Sequence, residues 1–172
     1  MATAYQNLSD YDPDVLPAAE VLQGQRYAIA VADWNPHVTH AMLQGALDSL
    51  TAHGVLKSNI ELVHVPGTFE LTYAARKFVY DSIRSKEGKK LDGVIVLGCV
   101  VQGETPHFDY VCQGVTSGIA HLNTVEGACP VIFGVLTTST MQQAIDRAGG
   151  IQGNKGIEAA ITAIKMANID WK

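Results

Sequence analysis

Apolar positions in this chain fall into two kinds of run that alternate along its length. Short continuous runs rich in Val, Ile, Leu and Ala occupy residues 27–32, 60–65, 94–101 and 131–136. Between them apolar residues recur every three or four positions: Met42, Ala46, Leu47 and Leu50, then Leu71, Ala74, Ala75, Phe78 and Val79, then Val111, Val115, Ile119 and Leu122. The first kind reads as strands buried on both faces, the second as amphipathic helices. Two more helices are predicted, one through Ala144, Ile145 and Ala148, and a last one from about Asn154 to Asn168 that buries Ala160, Ile161, Ile164 and Ala167. Strict alternation of strand and helix predicts an α/β fold, a three-layer α/β/α sandwich with a four-stranded parallel sheet.

Punctuation supports this order. Asn35 before Pro36 and Thr105 before Pro106 read as N-caps followed by a proline at the first helical position. Thr68 reads as the cap of the second helix, and Ser139 with Gln142 as a capping box. Gly54, Gly88 and the Gly149-Gly150 pair are the predicted helix stops. Residues 1–20 carry Asp10, Asp12, Pro13, Asp14 and Pro17 without an apolar period, which predicts an irregular N-terminal arm ahead of a single domain over 21–172.

Composition narrows the function. A net charge of −5, with Lys and Arg gathered only in the short turn from Arg84 to Lys90, argues against a nucleic-acid or anionic-membrane partner. No apolar run approaches the ~20 residues of a membrane helix, and the polar N-terminus lacks a signal-peptide core, so a cytoplasmic location is expected. Cys99, Cys112 and Cys129 are odd in number and form no close pair, which fits reduced thiols. His37 and His40 share a helix face, but no Cys or carboxylate joins them at ligand spacing, so they read as surface histidines and no metal site is predicted.

In open α/β sheets ligands bind beyond the carboxyl ends of the strands. Those ends carry Trp34-Asn35, Thr68-Phe69-Glu70, the run from Gln102 to His107, and the run from Phe133 to Thr138. Trp34 and Phe69 offer a flat slot for a planar heterocycle, and Asn35 and Glu70 can bind amide edges or hydroxyls. The loop through Gly103, Glu104 and Thr105 opens a helix, where backbone donors gather and anions bind. One turn inside stands His107, the residue type that most readily moves protons near neutral pH. The segment predicts an anion cradle beside a proton shuttle, although an ordinary βα crossover with a surface histidine has the same pattern. Arg147, at a helix end, complements the helix dipole without further role. The segment 150–156, with Lys155, is no Walker motif, since no strand precedes it and no Ser or Thr follows the lysine.

These residues together resemble the 6,7-dimethyl-8-ribityllumazine synthase family. The matching stretches are Trp34-Asn35, Pro66-Gly67-Thr68-Phe69-Glu70, Gly98 through Val111, Phe133 through Thr138, Asp146 through Gly149, and Asn154-Lys155-Gly156, in family order from about residue 20 onward. The resemblance implies a flavodoxin-like fold and the penultimate step of riboflavin biosynthesis. In that step 5-amino-6-(D-ribitylamino)uracil condenses with 3,4-dihydroxy-2-butanone 4-phosphate, without cofactor or metal. It assigns pyrimidine stacking to Trp34, the ribityl chain to Thr68, Phe69 and Glu70, the pyrimidine edge to Cys99, Val100 and Val101, and phosphate to Gly103, Glu104, Thr105 and Arg147. His107 becomes the proton shuttle. Phe133, Arg147 and Lys155 come from an adjacent subunit, which implies a homopentamer and, in some members, an icosahedral shell of pentamers. Gln102 and Asp33 depart from the family, which usually has basic residues there. A non-catalytic flavin-binding protein on the same fold would need neither His107 nor Arg147.

Overall fold

Four parallel strands, β1 (Tyr27–Ala32), β2 (Ile60–Val65), β3 (Gly93–Val101) and β4 (Val131–Thr138), are hydrogen-bonded in the order β2-β1-β3-β4. The computed structural model describes residues 7, 9–86 and 89–170, so the predicted stop at Gly88 and residues 1–6 and 8 of the arm fall outside the described residues. After a short helix α1 (Ala19–Leu22), the crossovers are α2 (Pro36–Ala52), α3 (Leu71–Arg84) and α4 (His107–Leu122). The chain ends through α5 (Met141–Asp146), a two-stranded hairpin of β5 (Ala148–Gly150) and β6 (Gly153–Asn154), and α6 (Lys155–Ala167). Within the expected arm, Pro13–Val15 form a 3-10 turn and α1 begins at Ala19.

Alternate residues of each central strand feed two cores, giving the expected three-layer sandwich. Tyr27, Ile29 and Val31 of β1 and Ile95 and Leu97 of β3 face Met42, Ala46 and Leu50 of α2 and Ala160 and Ile164 of α6. Ala28, Ala30 and Ala32, with Val94 and Val96, face Leu71, Ala75 and Val79 of α3 and Val115 and Ile119 of α4. Each fully buried Leu, Ile or Val side chain contributes about 1.5–3 kcal/mol, so both faces are strongly specified and the register cannot slip. Gly156 at the start of α6 lets that helix lie directly against the backbone of Met42, where a Cβ would collide with the Met42 carbonyl.

The predicted strands agree with the structure, except that β3 begins one residue earlier, at Gly93, and β4 runs two residues further, to Thr138, pairing with Val101. Several predicted helix starts need correction. Asn35 precedes α2 in a left-handed conformation (φ 58°, ψ 53°), and its side chain makes no cap bond. It reaches across the sheet instead, where Nδ2 donates to the Cys99 carbonyl at 3.1 Å. Thr68 does not cap α3 either: it lies in a 3-10 turn (Thr68–Glu70), its hydroxyl donating to the same Cys99 carbonyl at 3.4 Å. Thr105 makes no side-chain cap bond to α4, whose first turn closes on the Pro106 carbonyl. The capping box lies one residue later than predicted, with Thr140 and Gln143 in place of Ser139 and Gln142. Ala148 is not helical, because the chain leaves α5 at Asp146 and turns into the hairpin. Asn154 is a genuine cap, accepting from the amides of Gly156 and Ile157 at 2.8 and 3.4 Å.

Candidate active site

The crossover from β1 runs to α2 on one face of the sheet, and those from β2 and β3 run to α3 and α4 on the other. The chain therefore changes sides between the neighbouring strands β1 and β3, and loops diverge there to leave a crevice at their carboxyl ends. A cavity of about 760 Å³ occupies that crevice, a size suited to a small-molecule ligand. Its wall is built from all the predicted strand ends but the last: Trp34 and Asn35 after β1, Pro66 through Glu70 after β2, and Cys99, Val100, Val101, Gly103, Thr105 and His107 along β3 and the start of α4.

Local bonding fixes this wall. The amides of Asp33 and Trp34 donate to the carbonyls of Val65 and Pro66 at 2.8 and 3.2 Å, which extends the β1–β2 ladder into the two turns and holds the indole beside the Pro66-Gly67 bend. The Cys99 carbonyl gathers the Asn35 amide and the Thr68 hydroxyl, so one backbone oxygen locks three strand ends together. Trp34 and Phe69 are 73% and 56% exposed, large aromatic surfaces left open to a ligand. Burial pushes the Cys99 thiol up to about 11, so it stays neutral and offers no thiolate to the cavity. Beyond the wall, the backbone amide of Gln102 donates to the Thr138 carbonyl at 2.9 Å, whereas those of Gly103, Glu104 and Thr105 have no acceptor among the described residues. Nothing lies within 4 Å of where a Cβ of Gly103 would stand, so the loop faces open space. His107 is exposed at the first position of α4, on the same wall.

Four predicted residues are not on this wall. Glu104 belongs to the loop but does not line the cavity. Phe133 lies on the far side of α4, in a second cleft with Asp109, Cys112, Gln113, Thr116, Ser117 and Thr137. Arg147 and Lys155 converge elsewhere on Glu158, a residue that sequence reading missed. The guanidinium places Nη1 2.6 Å from Glu158 Oε1 and donates from Nη2 to Oε2 at 3.0 Å, while Lys155 Nζ lies 3.2 Å from Oε2. Arg147 also donates to the Gln152 carbonyl at 2.9 Å. The i,i+3 spacing of Lys155 and Glu158 was the one available signal, but nothing local announced that the hairpin would return Arg147 to them. The cavity wall consequently carries one carboxylate, Glu70, and no Lys or Arg.

The family model described as 6,7-dimethyl-8-ribityllumazine synthase matches residues 24–170. The chain belongs to this family. Three curated lumazine synthases resemble it along nearly their whole length. That of Porphyromonas gingivalis is 56% identical over 99% of both chains, and that of Parabacteroides distasonis 55% identical over 98% of both. The lumazine synthase of Phocaeicola vulgatus is 54% identical over 100% of this chain and 95% of its own. Among the described residues no helix is long and apolar enough to cross a membrane.

Proposed function

We propose that this chain catalyses the reaction for which its family is named. It condenses 5-amino-6-(D-ribitylamino)uracil with 3,4-dihydroxy-2-butanone 4-phosphate to give 6,7-dimethyl-8-ribityllumazine, phosphate and two molecules of water. The observation that carries this reading is the meeting, on one cavity wall, of an exposed aromatic slot, a loop of unpaired amides and His107. Trp34 stacks on the pyrimidine, whose edge meets the backbone of Cys99, Val100 and Val101. Thr68, Phe69 and Glu70 take the ribityl hydroxyls. Asn35 spends its amide on the Cys99 carbonyl and keeps its Oδ1 as an acceptor. The phosphate sits against Gly103, Glu104 and Thr105 at the start of α4, where amides and helix dipole favour an anion.

In this reading His107 moves protons for each step: off the amine as it attacks the ketone, onto the ketone oxygen as it leaves as the first water, off carbon as phosphate departs, and onto the oxygen lost as the second water when the ribitylamino nitrogen closes the ring. Holding both substrates in one crevice supplies the remainder by proximity. His107→Ala should bind the pyrimidine normally and lower kcat by about 10²–10⁴-fold, the range of a lost acid–base group. Unchanged lumazine formation, followed by its absorbance on mixing the two substrates, would remove His107 from the mechanism.

The wall of one chain has no cation for the phosphate, and Phe133, Arg147 and Lys155 all stand away from it. That pattern supports a site completed by a neighbour, which supplies these three residues. Helix α4 has the cavity on one flank, through His107, Phe108, Tyr110 and Val111, and the Phe133 cleft on the other. Different surfaces therefore meet head to tail, the kind of contact from which closed rings are built. The working unit is a homopentamer in the cytoplasm.

A further inference from the structure

Outside the cavity the fold gathers three side chains of metal-ligand type from three different elements. Asp33 leaves the end of β1, His64 stands on the edge strand β2 as the register partner of Val31, and His40 lies in the second turn of α2. Asp33 Oδ1 is 2.8 Å from His64 Nδ1 and 3.7 Å from His40 Nε2. The three ligand atoms lie within 4.8 Å of one another, and the two imidazoles meet edge to face with centroids 5.6 Å apart.

We propose that Asp33, His40 and His64 bind one divalent transition-metal cation, zinc being the ion this donor set fits best. Two imidazoles and one carboxylate are a zinc-type set, and they leave a fourth position open to water. Bonds of about 2.0–2.1 Å in tetrahedral geometry put ligand atoms about 3.3 Å apart. The observed 2.8 and 3.7 Å bracket that separation, so small rotations of exposed side chains close the site. Calcium and magnesium, which take mainly oxygen ligands, fit it poorly.

A simple Asp–His pair does not account for the arrangement. The Asp33–His64 hydrogen bond is complete without His40, whose Nε2 points to the same oxygen from beyond hydrogen-bonding distance. The scaffold is rigid: the Asp33 amide is bonded to Val65, the residue after His64, and α2 starts two residues beyond Trp34. The sequence pattern pairs His40 with His37, but the fold gives it His64 instead. The cation has no part in the condensation. It ties the turn that carries Trp34 to the edge strand and to α2.

The test uses the full-length assembled protein freed of metal with a chelator. Titration with Co²⁺, read by its visible absorption and then by displacement with Zn²⁺, should show one cation per chain. His64→Ala and His40→Gln should each weaken uptake more than about tenfold, and Asp33→Asn, which keeps the side-chain shape, should weaken it too. His37→Ala should leave uptake unchanged. No stoichiometric uptake by the unaltered protein, equal uptake by the His40→Gln/His64→Ala double variant, or loss of uptake in His37→Ala would each overturn the proposal. All these side chains are exposed, and circular dichroism checks that every variant is folded.

Discussion

Glu158 decides where Arg147 points. Its carboxylate faces two cations, Arg147 and Lys155, and the pair with Arg147 is largely shielded from solvent. Removing one partner of such a pair leaves the other charges uncompensated, at a cost that approaches the 3–5 kcal/mol of a fully buried pair. Glu158→Ala should therefore lower stability by about 2–3 kcal/mol in urea titrations. It should also raise KM for the phosphorylated substrate more than for the pyrimidine, because Arg147 loses its orientation; equal changes in both would separate Arg147 from the phosphate. The cysteines make a second prediction at this scale. Burial pushes Cys99 and Cys129 up to about 11 from 9.0, so folding favours the neutral thiol. The sign follows: this stabilisation is whole below pH 9.0 and is lost as pH rises through about 11. The loss is at most about 2–3 kcal/mol per thiol. Urea midpoints measured across that window should fall, and Cys99→Ala should flatten the fall.

Helix α4 is the element on which the site turns, because it carries His107 and separates the cavity from the Phe133 cleft. Its approach to the 3-10 turn Thr68–Glu70 depends on Gly114, against which the Phe69 ring packs; a Cβ there would stand 2.5 Å from Phe69 Cε2. Gly114→Ala should displace Phe69 and raise KM for the pyrimidine at little cost in kcat, a split that steady-state kinetics reads directly. An unchanged KM would show that Phe69 does not hold the ribityl chain. The same helix shows what was legible before folding. Its strand, its apolar stripe and its position after β3 follow from local periodicity, and so does the place of His107 at its first turn. The roles of Asn35 and Thr68 do not. Both are good capping residues by type, yet the Cys99 carbonyl, brought near only by strand pairing, accepts a hydrogen bond from each and holds the side chain, and neither side-chain oxygen accepts from a helix amide. The β5–β6 hairpin was equally hidden, since three glycines and two short strands carry no apolar period.

At the scale of the whole molecule, surfaces that one chain leaves bare bear on its assembly. Tyr73, Tyr110 and Ile151 are 72%, 69% and 83% exposed, large apolar side chains open to contact with a neighbour. On the proposed pentamer with its shared site, the remaining question is whether rings close into a shell. The connection between α5 and α6 is a tight hairpin with Ile151 and Gln152 at its tip, and a longer inserted loop there would be harder to accommodate between pentamers. Against closure, Pro13 and Pro17 interrupt any ladder that the arm would form on a neighbour, since proline cannot donate. In this structure the arm is also held at home: Tyr11 Oη lies 2.9 Å from His53 Nε2, and Ser9 Oγ is hydrogen-bonded to the backbone of Asn154. These contacts are few, and proline is tolerated on an edge strand whose N–H would face solvent, so the hairpin weighs more and the shell is the expected state. Analytical ultracentrifugation separates the outcomes. A shell sediments far faster than a ring, and a species of pentamer size that persists across protein concentration and in phosphate buffer would refute the shell while leaving the pentamer and its shared site intact.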